Sequence, residues 1–149
     1  MLKRTHLALG VAVGLFMLPH VNNKLIFLPI VLLASLLPDV DSGFSSLGKR
    51  WFMKPVQWFV KHRGVFHSLT FAILVSLVIA FFWPVGALPF FLGYSFHLLA
   101  DSFTPDGIKA FWPLKFVSKG RIKTGGRIED GIFLVFLVLD VLLLVGAFF

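Results

Sequence analysis

Histidine and aspartate recur in this sequence at the edges of its apolar runs, in a pattern suited to holding a divalent cation. His97 and Asp101 are four residues apart in Gly93-Tyr94-Ser95-Phe96-His97-Leu98-Leu99-Ala100-Asp101. On a helix such a pair shares one face and can grip a single ion. Asp39 and Asp41 follow Pro38, and residues two apart in an extended segment point the same way. His62 and His67 flank Gly64. On one continuous helix five residues would set those rings about 140° apart, so a turn at Gly64 is what lets both face one cavity. His6 opens the first apolar run, and Glu129 and Asp130 precede the last. The chain has no cysteine, so a transition metal must be held by imidazole and carboxylate. That donor set fits zinc first, with manganese or iron as alternatives, whereas magnesium prefers oxygen alone.

Each of these residues also has a plainer role. His6 can sit at a membrane interface, Asp41 and Ser42 are good helix N-caps, and His62 beside Arg63 can contact lipid headgroups. Glu129 and Asp130 suit the positive end of a helix dipole. What the plainer roles leave unexplained is the convergence: four of five histidines and six of seven acids fall at the same ends of the apolar runs. Ionisable groups cost roughly 2.5–3.5 kcal/mol at the centre of a membrane helix, and clustered carboxylates repel unless a cation or protons intervene.

The elements that must position these groups are hydrophobic. Apolar residues make up 58% of the 149 and charged residues 14%, well below the roughly 25% charged of soluble domains. Runs extend over about 7–18, 25–37, 68–82, 85–100 and 132–149. This predicts an all-α fold: one domain over 1–149, a polytopic membrane bundle of about five hydrophobic helices. A perpendicular span takes roughly 20 residues, so the first two runs are a tilted pair or a re-entrant hairpin. The segment Lys49–Lys61 mixes Trp51, Phe52, Trp58 and Phe59 with four basic residues, the composition of an interfacial amphipathic helix. The segment 104–127, rich in Pro and Gly, reads as turns. Lys3-Arg4 before an apolar stretch also suits a signal peptide, but no small-residue cleavage site follows, so a retained helix is expected.

With five segments, thirteen of the fourteen Lys and Arg share one side and Lys24 stands alone on the other. Basic loops stay cytoplasmic on insertion. The expected location is therefore the inner membrane, multi-pass, with the N-terminus and the His/Asp cluster facing the cytoplasm. The net charge of +7 is read as contact with anionic headgroups. Nucleic acid is not expected, and 19 Phe against 1 Tyr suits packing in lipid.

In Thr5-His6, Leu37-Pro38-Asp39-Val40-Asp41, His62-Arg63-Gly64-Val65-Phe66-His67-Ser68 and Gly93-Tyr94 through His97-Leu98-Leu99-Ala100-Asp101, the chain resembles the YdjM-like family of LexA-regulated, membrane-bound, metal-dependent hydrolases. Thr104-Pro105-Asp106-Gly107 and Trp112-Pro113 match as well. Phe66 stands where the family usually has threonine. The resemblance implies His6, Asp39, Asp41, His62, His67, His97 and Asp101 as the metal-site residues. A more distant similarity runs to the zinc-dependent phospholipase C and nuclease group.

The expected activity is hydrolysis at the cytoplasmic face, through a metal-activated water, of a phosphoester on a lipid or lipid-linked substrate. His97, Asp101, His62 and His67 are assigned to a primary ion, with His6, Asp39 and Asp41 assisting or holding a second. Arg63 would pair with a phosphate, to which its planar fork is suited, and Glu129 would act as general base or further ligand. The alternative is a metal-ion transporter or metal-sensing membrane protein, which needs a polar route that only Asp140, Ser76 and His20 offer. An intramembrane metalloprotease would need the His-Glu-x-x-His helix, which is absent.

Overall fold

The computed structural model describes residues 1–41 and 65–146, with the backbone alone for Val40 and Asp41. Five helices account for most of them: α1 (Lys3–Met17), α2 (Lys24–Ala34), α3 (Leu69–Phe82), α4 (Pro84–Ser102) and α5 (Arg127–Gly146). Single 3-10 turns follow α1 at Leu18–His20 and α2 at Leu37–Asp41. The all-α class holds; among the described residues the only β pairing is an antiparallel bridge between Ile108 and Ser118.

Local chemistry sets the boundaries. Pro19 carries no amide proton, and the chain leaves α1 through the turn that contains it. Ser68 caps α3 by accepting a hydrogen bond from the Phe71 amide at 3.1 Å. Trp83 leaves the helical region at φ −150° and ψ 76°, as a residue before a proline is pushed to do, and Pro84 occupies the first turn of α4, where a missing N–H costs nothing.

Helix α4 is the hub, packed against both α2 and α3, while α1 lies between α5 on one side and α2 and α4 on the other. Glycine permits the closest crossing. A β-carbon at Gly93 would stand 2.3 Å from the Val31 carbonyl oxygen and 2.9 Å from the Ala34 β-carbon, so the backbones of α2 and α4 approach each other closely there. The apolar core is small, built from Ala34, Ala72, Phe90, Tyr94, Leu98 and Ile108.

The distribution of polarity is inverted. His6, His67, His97, Asp101 and Glu129 are essentially inaccessible, whereas Leu25 is 92% exposed and Phe81 82%. The expected spans are only partly realised: among the described residues, no helix is long and apolar enough to cross a membrane. Helix α2, with 11 residues, is about 16 Å long at 1.5 Å per residue. Helix α5 has 20 residues but opens with Arg127, Glu129 and Asp130 and carries Asp140. Helix α4 gives its last turns to His97 and Asp101. The polar residues that build the site therefore shorten the apolar length of the helices carrying them. The expected interfacial helix over 49–61 lies outside the described residues.

The expectation of turns after α4 is met. Gly107 and Gly125 adopt φ of 62° and 74°, a region open to glycine at little cost. The segment is tied back to the end of α4 by the Gly120 amide on the Thr104 carbonyl and the Ile122 amide on the Phe103 carbonyl, both at 3.0 Å.

Candidate metal centre

Four separate elements bring the polar residues together: the first turn of α1 (His6), the turn after α2 (Asp39), the segment before α3 (His67) and the last two turns of α4 (His97, Asp101). Ligand atoms of Asp39, His67, His97 and Asp101 all lie within 4.8 Å of one another. His97 Nε2 is 3.7 Å from Asp101 Oδ2 and 3.9 Å from Asp39 Oδ1, and His67 Nε2 is 3.7 Å from Asp101 Oδ2. Tetrahedral ligands about 2.1 Å from zinc stand about 3.4 Å apart. The three closest pairs need a contraction of a few tenths of an ångström, and the widest, at up to 4.8 Å, needs more than one ångström.

The His97 ring makes the strongest case for a cation. Its Nδ1 lies 2.7 Å from the Ser35 carbonyl oxygen, which can only accept, so Nδ1 carries the proton. The neutral tautomer then presents the Nε2 lone pair to Asp39 and Asp101. Nε2 is buried and without a hydrogen-bond partner among the described residues. A histidine whose far nitrogen donates to a carbonyl is the usual arrangement of a metal ligand. His6 stacks on His97 with ring centroids 3.8 Å apart and an interplanar angle of 15°. Both His6 nitrogens are buried without a hydrogen bond among the described residues, although Nε2 approaches Asp101 Oδ1 at 3.3 Å. Among the described residues nothing hydrogen-bonds these buried atoms, and a divalent ion fits the donor set.

Two clamps hold the ligands. Tyr94, the one tyrosine, donates from its hydroxyl to the Phe66 carbonyl at 2.6 Å, fixing the segment next to His67. That segment is also anchored by the Leu69 amide on the Ala110 carbonyl at 2.7 Å. Glu129, fully buried, accepts from the Leu2 amide at 2.6 Å, the Thr5 hydroxyl at 3.0 Å and the Gly125 amide at 2.6 Å. It precedes the apolar stretch of α5. Burial raises its pKa, but the Leu2 and Gly125 amides, the Thr5 hydroxyl and the amino terminus outweigh that and hold it below the ordinary 4.5. The Met1 amino group itself is paired with Asp101 Oδ1.

Five of the expected site residues thus share one region: His67, His97, Asp101 and Asp39 as one ligand group, with His6 stacked beside them. Of the two roles the sequence left open for Asp39, assisting the first ion or holding a second, the grouping with His97 corresponds to the first. Glu129 lies behind α1, with both oxygens engaged by its three donors, and is not among the converging ligand atoms. Asp130 pairs with Arg4 at the surface instead, and the Arg4 guanidinium lies over the Phe133 ring at 5.2 Å. His62 and Arg63 lie outside the described residues, as does the Asp41 side chain. The sequence reading missed the Ser35 carbonyl and the Tyr94 hydroxyl. No sequence signal marks a carbonyl, but a lone tyrosine among nineteen phenylalanines marks a hydroxyl with a task.

Fold and site together define an all-helical protein with a buried histidine–aspartate cluster fit for a divalent metal. The family model for YdjM inner membrane protein matches residues 1–147, and the chain belongs to that family. The inner membrane proteins YdjM of Escherichia coli (strain K12) and Shigella flexneri are each 40% identical to it over 97 residues, covering 59% of this chain and 50% of theirs. The chain therefore spans about half the length of these curated relatives. No solved structure matches it.

Proposed function

We propose that this protein is a membrane-embedded, metal-dependent hydrolase that cleaves a phosphoester of a lipid or lipid-linked substrate. The observation that carries the reading is the His97 ring, locked by Ser35 so that a lone pair points at two carboxylates. In this reading Asp39, His67, His97 and Asp101 hold the ion, with His6 alongside and the Asp41 and His62 side chains as further candidates. The imidazole and carboxylate donors suit zinc, with manganese or iron as alternatives. Bound there, a divalent ion supplies Lewis acidity toward a phosphoryl oxygen and eases the ionisation of water.

The chain's own residues do the rest. Asp39, the ligand most open to solvent, marks the side from which water enters. Glu129 acts as a positioning residue, since its three donors tie Leu2, Thr5 and Gly125 in place behind His6. Arg63 takes phosphate oxygens through its planar fork.

A membrane setting accounts for the inverted polarity. Contiguous exposed leucine, valine and phenylalanine on α3 and α5 exceed what a soluble monomer tolerates. The helices enter the bilayer from one side as a multi-pass bundle of short, tilted segments, with local thinning where they fall short. The basic loops keep the metal centre on the cytoplasmic side.

The test is metal analysis and phosphate release on the full chain in liposomes, with His97→Ala and Asp101→Asn as variants and helicity as the folding control. Bound metal together with release that both variants abolish supports the reading. Folded wild-type protein that takes up no divalent metal would overturn the metal centre. A metal-loaded wild type that releases no phosphate from any lipid phosphoester would overturn the hydrolase.

A further inference from the structure

A cavity of about 860 Å³ runs between α1, α4 and α5. Its walls are stripes of helix. Helix α1 contributes Thr5, Leu9, Ala12, Val13 and Phe16, and α5 contributes Ile132, Phe136, Leu139 and Leu143. Both sets follow the spacing of a single helical face. From Thr5 to Phe16, and again from Ile132 to Leu143, eleven residues cover about 17 Å. That is close to the ~15 Å of hydrocarbon in one leaflet.

The two ends of the cavity differ. At one end it is lined by Met1 and Thr5, the residues bonded to Asp101 and Glu129, so that end lies one residue layer from the metal centre. Ile122 also lines it, and the neighbouring Arg121 and Lys123 are both exposed. The far end has no polar side chain. Phe16, 62% exposed, leaves the groove open sideways. Cations and ligand atoms at one end of an apolar trough of leaflet length describe an amphiphile with an anionic head.

We infer that this groove holds the hydrocarbon tail of a phosphate-headed lipid, whose head lies between the His/Asp cluster and Arg121 and Lys123. The inference rests on the hydrolase reading for the fate of the head, but not for the place of the tail. The tail sets the register: with its chain along α1 and α5, the phosphate arrives at the metal centre from the membrane side. The substrate class is therefore a phosphate at the end of one hydrocarbon chain that lies along the groove.

The test uses hexadecylphosphonate with a diazirine at the tail terminus, in liposomes containing the full chain. The C–P bond removes hydrolysis from the measurement. A hexadecyltrimethylammonium probe with the same diazirine reports ordinary lipid contact. The phosphonate probe is expected to label Val13, Phe16 and Leu139 over Leu74 and Leu77 of α3 by about tenfold, the ratio that roughly 1.4 kcal/mol of preference gives. Val13→Trp, which fills the trough, removes that preference. The ammonium probe labels both faces alike. Equal labelling by the phosphonate probe, or a preference shared by the ammonium probe, would overturn the inference. Groove labelling without phosphate release from any substrate keeps the tail site and ends the hydrolase reading. Phosphate release with equal labelling does the reverse.

Discussion

Replacing Glu129 with glutamine tests whether the metal centre depends on a clamp that touches no ligand. The wild-type carboxylate takes three donors on two oxygens, Leu2 and Thr5 on Oε1 and Gly125 on Oε2. The amide of the Glu129→Gln variant keeps one acceptor for Leu2 and Thr5 but turns its nitrogen toward the Gly125 N–H, donor against donor. A hydrogen bond to a charged group contributes about 1.5–3 kcal/mol, and a buried unsatisfied donor costs about 1–3 kcal/mol. The two surviving bonds fall to roughly half strength without the charge. Relief from burying a carboxylate offsets part of this, so the expected loss is about 3 kcal/mol. For a chain of this size that lowers Tm by about 6–12 °C.

The assay is thermal unfolding of the full chain in detergent, followed by far-UV circular dichroism, across a pH series. The Glu129 pKa is depressed in the fold, so its contribution is complete above the unfolded value near 4.5 and is lost as pH falls through the folded value below it. The gap between wild type and Glu129→Gln should therefore narrow in acid. A gap below about 2 °C at neutral pH, or one that widens on acidification, would refute the clamp.

Zinc should stabilise the wild type by mass action. At a free concentration one hundred times Kd the gain is about 2.7 kcal/mol, seen as a rise in Tm that a chelator reverses and His67→Ala abolishes. Gly93→Ala forces a β-carbon against the Val31 carbonyl and should cost about 1–3 kcal/mol in a melting experiment. Gly131→Ala, on the same assay, meets nothing within 4 Å and should gain about 0.5–1 kcal/mol from helix propensity. Tyr94→Phe should lose about 1–2 kcal/mol by stranding the Phe66 carbonyl. It should also weaken metal affinity in a competition titration, because that carbonyl is next to His67.

Much was readable before any coordinates. The apolar runs over 7–18, 25–37, 68–82, 85–100 and 132–149 located all five described helices to within about five residues at either end, since helix boundaries are set locally. The four-residue spacing of His97 and Asp101 placed both on one face for the same reason. Absence of cysteine fixed the donor chemistry. The depth of the helices in a membrane was harder to judge, because hydrophobic runs and polar helix ends overlap: α4 and α5 reach nearly spanning length only by including the residues of the site and its clamp.

Tertiary structure decided the rest. Whether Asp39 shares an ion with His97 depends on how closely α2 meets α4, which Gly93 permits and the sequence does not announce. The proton on His97 Nδ1 is set by the Ser35 carbonyl, sixty-two residues away, and every residue carries such a carbonyl. Glu129 looked like a base because an acid at a helix start has the right type for one. Its actual partners come from Leu2, Thr5 and Gly125, which meet only when α5 packs on α1. Residue type and spacing travel with the chain and can be read along it. The partner of a buried polar atom is fixed by which helices cross and how far apart, and that is a property of the packed whole.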